Sequence, residues 1–197
     1  MKAQNLKETP RGKIRRQARK EKRENAVQKS GLKSEIMDSI LELFFEHPAE
    51  RFTVREIEKR TKIPRATAHE YLHALKDEGM VGKDNAAPDT LAFKTKKIHH
   101  FIEKIVASGL VDEIIRKVQP SCIILFGSVR KGESVKASDI DLFVESHSIG
   151  IIDAAPFEKK LGHKVQLFVE KDIRNLHANL LNNVVNGIKL YGSFKVK

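Results

Sequence analysis

The stretch Ser121–Val144, SCIILFGSVRKGESVKASDIDLFV, decides how the second half of this 197-residue chain folds. Cys122–Phe126 is an unbroken apolar run that stops at Gly127-Ser128, the pattern of a buried strand entering a tight turn where backbone must approach a ligand. Amides that open a following helix point outward with partial positive charge, and the Ser128 hydroxyl adds one more donor. Arg130 and Lys131 raise the local positive potential, so a phosphate is the natural guest. In a strand over Asp139–Val144, Asp139 and Asp141 share one face while Ile140, Leu142 and Val144 point into a core. Two carboxylates beside a phosphate site form a hard, oxygen-rich pocket, suited to Mg²⁺ and to aligning a triphosphate for in-line attack. A D-x-D pair alone more often marks a solvated strand end; the combination is far more specific.

Gly127-Ser128, ten residues, then Asp139-Ile140-Asp141 inside a strand resembles the signature of the polymerase-β-like nucleotidyltransferase superfamily, its minimal nucleotidyltransferase branch in particular. Gly132 and Ser138 fit the same pattern, and NGIKLYG (Asn186–Gly192) resembles the helix end and final strand that close that fold. The resemblance covers the chain from Val118 onward. It implies that Gly127 and Ser128 hold the phosphates of a nucleoside triphosphate and that Asp139 and Asp141 bind divalent metal. The family's third carboxylate stands on a later strand, where LGHKVQLF (Leu161–Phe168) offers Gln166 instead. An amide is a neutral ligand and cannot act as a base. Glu170 lies four residues further along the strand, about 13 Å away and too far to substitute. On a strand through Lys164–Phe168, Gln166 turns toward the two aspartates and Val165 and Leu167 toward the core.

Working back to the start, residues 1–31 carry eleven lysines and arginines against three glutamates, a net +8 out of +11 for the whole chain. With almost nothing apolar to bury, this tail reads as disordered when free and attracted to nucleic-acid backbone without sequence preference. Ile36, Ile40, Leu43 and Phe44 then give the stripe of an amphipathic helix over Leu32–Phe45, ended by His47-Pro48. Thr53-Val-Arg-Glu56 is a capping box opening a second helix through Arg60, and Thr61–Ile63 is the turn. A third helix starts at Pro64, buries Ala68, Tyr71, Leu72 and Leu75, and stops at Gly79.

IPRATAHEYLHALKDEGMV (Ile63–Val81) resembles the recognition helix of winged helix-turn-helix regulators, a similarity covering residues 32–95. It implies wing strands at Val81–Lys83 and Thr90–Lys94 around an Asp84–Asp89 loop. Arg65, Thr67, His69, Glu70 and His73 are the candidate base readers on double-stranded DNA. Residues 96–117 form a helical connector broken at Gly109, and residues 118–197 the transferase-like domain. The expected fold class is therefore α/β (α+β), an N-terminal winged helix before a mixed sheet with packed helices.

A lone cysteine, Cys122, excludes an internal disulfide framework, and no histidine or cysteine cluster suggests zinc. No apolar run reaches the length of a membrane span and no signal-peptide core follows the basic N-terminus, so a cytoplasmic protein is expected. Three functions stay open: a Mg²⁺-dependent nucleotidyltransferase acting on an unidentified acceptor; a DNA-binding transcription regulator whose transferase half senses nucleotide; and an antitoxin-like protein that modifies or masks a partner protein. The sequence leaves open whether the chain forms a homodimer.

Overall fold

The computed structural model describes residues 31–148 and 150–194. Residues 1–30 of the basic tail lie outside them, and residue 31 already belongs to the first helix. Helix α1 covers residues 31–46. Helix α2, Val54–Thr61, opens with the expected capping box: the Thr53 hydroxyl accepts from the Glu56 amide, and the Glu56 side chain reaches back to the Thr53 amide at 2.7 Å. Lys62, in the left-handed region at φ 63°, ends α2, and Pro64 occupies the cap position before α3, Arg65–Asp77. Phe44, Phe45, Phe52, Ile57, Ala68, Leu72 and Leu75 are the buried residues of this half.

The wing strands do not form among the described residues. Residues 82–86 make a tight turn, with the Gly82 amide donating to Ala86 at 2.8 Å and the Asn85 carbonyl accepting from the Phe52 amide at 3.0 Å. Thr90–Lys94 is the start of a helix instead: the Thr90 hydroxyl caps Phe93 at 3.2 Å, and α4 runs Leu91–Ser108. Phe93, Lys97, Phe101 and Ile105, spaced by four, all lie on its buried face. Lys97 sits in that apolar stripe, and a charged residue there hides the helical period upstream of residue 98. Gly109, at φ 85°, ends α4 and leads into α5, Leu110–Val118.

Four strands form one sheet in the order β3-β2-β1-β4. Strand β1 is Cys122–Phe126, β2 Ile140–Glu145, β3 Val165–Glu170 and β4 Ile188–Gly192. Strand β1 pairs antiparallel with β2 and β4, whereas β2 and β3 are parallel and joined by α7, Ala155–Leu161. Ile123, Leu125, Ile140, Leu142 and Val144 on one sheet face share a single core with α4, α5, α7 and the helix-turn-helix half. The opposite face, with Cys122, Ile124, Phe126 and Phe143, is covered by Ile173, Leu176 and Val184. A 3₁₀ turn at Ile173–Asn175 is capped by Asp172, and α8 begins only at Ala178.

Candidate functional site

At the C-terminal end of β1 the chain turns through Gly127 into a five-residue helix, α6, Gly127–Lys131. Gly127 adopts φ +73°, and a Cβ built there would stand 2.0 Å from Asp141 Oδ2. Only a glycine lets the turn lie against that carboxylate. Asp141 is on β2 opposite Phe126, and Asp139 precedes the strand, so the two carboxylates share a face one residue apart. Burial, and after it the charge of Asp139, holds the Asp141 carboxyl above its ordinary value. On β3, Gln166 pairs in register with Asp141, and its Nε2 donates to Asp139 Oδ2 at 2.7 Å. Gln166 thus reaches Asp139, and Glu170 lies further along β3, in register with Glu145.

Ser128 and Arg130 are half-buried on α6 and Lys131 is exposed on its last turn. Neither cation pairs with a site carboxylate among the described residues. Beside Asp139 opens a cleft of about 430 Å³, lined by Ser138, Lys136, Glu158, Lys159 and Lys164 among others. In the other half, Arg65, His69, Glu70 and His73 are exposed on α3 and Thr67 is half-buried. The His69 and His73 rings lie 4.8 Å apart, one turn along the same face. Arg65 is held by Glu58 of α2 through a 3.0 Å ion pair, a restraint the sequence did not reveal.

A family model described as the nucleotidyltransferase domain matches residues 107–190, and one described as the IclR helix-turn-helix domain matches residues 39–85. The chain carries a nucleotidyltransferase domain. The match takes in α5, strands β1 to β3, the start of β4, and Gly127, Asp139, Asp141 and Gln166. The helix-turn-helix match takes in α2, α3 and the tight turn as far as residue 85. No curated protein matches the chain. A nucleotidyltransferase domain behind a DNA-binding helix-turn-helix domain supports, in general terms, a transferase that works on nucleotides. No described helix is long and apolar enough to cross a membrane.

The donor set fits one hard cation. Two carboxylates are held side by side, and Asp141 is pushed up by burial and by its neighbour, a repulsion that a divalent ion would relieve. Mg²⁺ is commonly held by one or two carboxylates and completes its shell with substrate phosphates and water. Among the described residues no third histidine, cysteine or acid joins the pair. Gln166 contacts the pair through Asp139, and its amide, turned through half a rotation, presents an oxygen rather than a charge.

The sequence missed the junction between the halves. Glu46 at the end of α1, Lys97 on α4 and His163 after α7 are buried around the segment that leads from α6 to Asp139. A buried charge at a helical core spacing was the available signal, at Lys97. Glu46 and His163 gave none.

Proposed function

We propose that the protein transfers a nucleoside monophosphate from a nucleoside triphosphate to an acceptor hydroxyl, in a Mg²⁺-dependent reaction, while its N-terminal half holds double-stranded DNA. The observation that carries this reading is the packing of Asp141 on Gly127, which sets one carboxylate of the pair directly against the turn that would cradle phosphates. Asp139 and Asp141 would hold Mg²⁺, which when bound neutralises phosphate charge and aligns the triphosphate. Gly127, Ser128 and the amides of α6 would hold the β- and γ-phosphates, with Arg130 and Lys131 drawing the anion in. The acceptor oxygen bonds to the α-phosphorus as the bond to the β-phosphate oxygen breaks, and pyrophosphate leaves. Gln166 cannot take the acceptor's proton, so that proton goes to water or to a base on the acceptor's own carrier.

A second reading is favoured by the Gln166–Asp139 hydrogen bond, which puts an amide where a general base would be expected. On that reading the domain binds nucleotide and regulates DNA binding without turnover. Label transfer from α-³²P triphosphates with Mg²⁺ and a cell lysate separates the two. Transfer that disappears in Asp139→Asn/Asp141→Asn supports catalysis. Mg²⁺-dependent nucleotide binding without transfer supports sensing, and unchanged binding in the double variant refutes the metal assignment.

A further inference from the structure

We propose that Glu46, the last residue of α1 in the helix-turn-helix half, is a positioning residue for the nucleotide site. It acts through His163 and the Val135–Ser138 turn on Asp139, an inference that rests on reading Asp139 as a magnesium ligand.

Glu46 is buried, and two contacts converge on its carboxylate and a third on its backbone carbonyl. Its Oε1 accepts from Lys136 Nζ at 2.9 Å and stands 3.5 Å from His163 Nε2, while its backbone carbonyl accepts from the Lys136 amide at 2.8 Å. The His163 ring is fully buried and packs edge-on to Phe101 of α4, 5.2 Å between centroids. Its Nδ1 lies 2.8 Å from the Ser138 carbonyl. A carbonyl only accepts, so Nδ1 carries the proton and donates, which fixes the ring with Nε2 toward Glu46. Nε2 has no hydrogen-bond partner among the described residues, and Glu46 is the charged group it faces.

Ser138 closes a tight turn: its amide donates to Val135 at 2.8 Å and its hydroxyl accepts from the Val135 amide at 2.9 Å. The next residue is Asp139. Helix α4 grips the same segment further back. Buried Lys97 donates to the Ser134 carbonyl, and the Lys94 backbone covers Gly132, where a Cβ would come within 3.0 Å of the Lys94 carbonyl. The turn that presents Asp139 is therefore held by helices of the N-terminal half as well as by its own strand. Groups that orient a ligand from behind are worth about 10- to 100-fold in metal affinity, so the expected effect of releasing this one is about tenfold.

The test uses full-length protein, with Mg–ATP and Mg–GTP as probes in calorimetry across a Mg²⁺ series, and hydrogen exchange of the protein alone. Glu46→Ala is expected to raise amide exchange over residues 132–139, weaken Mg–nucleotide binding about tenfold and demand more Mg²⁺. Glu46→Gln should restore part of the loss, because at the Oε1 position an amide oxygen still accepts from Lys136 whereas an amide nitrogen donates to His163 Nε2, and either keeps one of the two contacts. His163→Phe keeps a buried ring on Phe101 but loses the Ser138 contact, and should behave like Glu46→Ala. Wild-type protein that binds no Mg–nucleotide overturns the proposed function, and this role falls with it. Wild-type binding with unchanged affinity in Glu46→Ala and His163→Phe overturns the positioning role alone, whatever happens to their melting temperatures.

Discussion

Gln166→Asp replaces the amide that donates to Asp139 at 2.7 Å with a shorter carboxylate, putting a third negative charge beside Asp139 and Asp141. At about 4 Å two like charges repel by about 1 kcal/mol in water and about 4 kcal/mol at the effective dielectric of a protein surface. Gln166 is exposed, so the lower part of that range applies and the folded protein should lose about 1–2 kcal/mol at pH 7 without metal. For a chain of this size that is a fall in Tm of about 2–8 °C. The sign with pH follows from repulsion raising the folded-state pKa of the cluster. The deficit is complete above that raised value and disappears as pH falls through it toward the ordinary carboxylate range. Mg²⁺ should reverse the deficit, with the variant stabilised at lower Mg²⁺ than wild type. Because general-base help is worth about 10²- to 10⁴-fold, transfer should also rise at least about tenfold if a hydroxyl acceptor is supplied. The measurements are melting curves across pH and Mg²⁺, followed by label transfer. Identical melting curves for variant and wild type in both series would refute the reasoning, since they would mean position 166 does not share a charge environment with the aspartates.

Gly127→Ala should lower stability by about 1–2 kcal/mol through its left-handed backbone alone, and it should also displace Asp141, so Mg–nucleotide affinity should fall further than melting predicts; calorimetry checks this. Burial holds the Lys97 ammonium down to about 8, below its ordinary 10.5. The unfolded chain therefore binds the extra proton between those values, and stability should rise with pH across that window. Lys97→Met should remove the rise, read as the difference between two denaturation series from pH 7 to 11. Deleting residues 1–30 should weaken binding to every duplex and flatten the salt slope, whereas Arg65→Ala should reduce discrimination with a smaller salt effect. Equal salt slopes with and without the tail, measured by fluorescence anisotropy, would exclude that division of labour.

Much of the site was legible in the sequence because its parts are local. A strand run into Gly127, the D-x-D alternation, and the Thr53/Glu56 capping box depend on neighbours within a few residues, and periodicity exposes them. The helix-turn-helix followed from the same logic up to Gly79. The wing did not, because Thr90 begins a helix and the period of α4 is masked by Lys97, a charged residue at a core position. That lysine is accommodated by donating a hydrogen bond to the Ser134 carbonyl, in a segment 37 positions away, and no local pattern encodes such a partner.

The sequence by itself determined the buried run into Gly127, the D-x-D alternation and the presence of an amide at position 166. Tertiary structure decided their contacts: the parallel pairing of β2 with β3 brings Gln166 onto Asp139, and the antiparallel pairing of β1 with β2 sets Asp141 under Gly127. It alone decided that Glu46, Lys97 and His163 would hold the turn before Asp139. The physical reason is burial: a charge enters a core only where distant chain segments supply its hydrogen bonds, and those segments meet only once the two halves have packed.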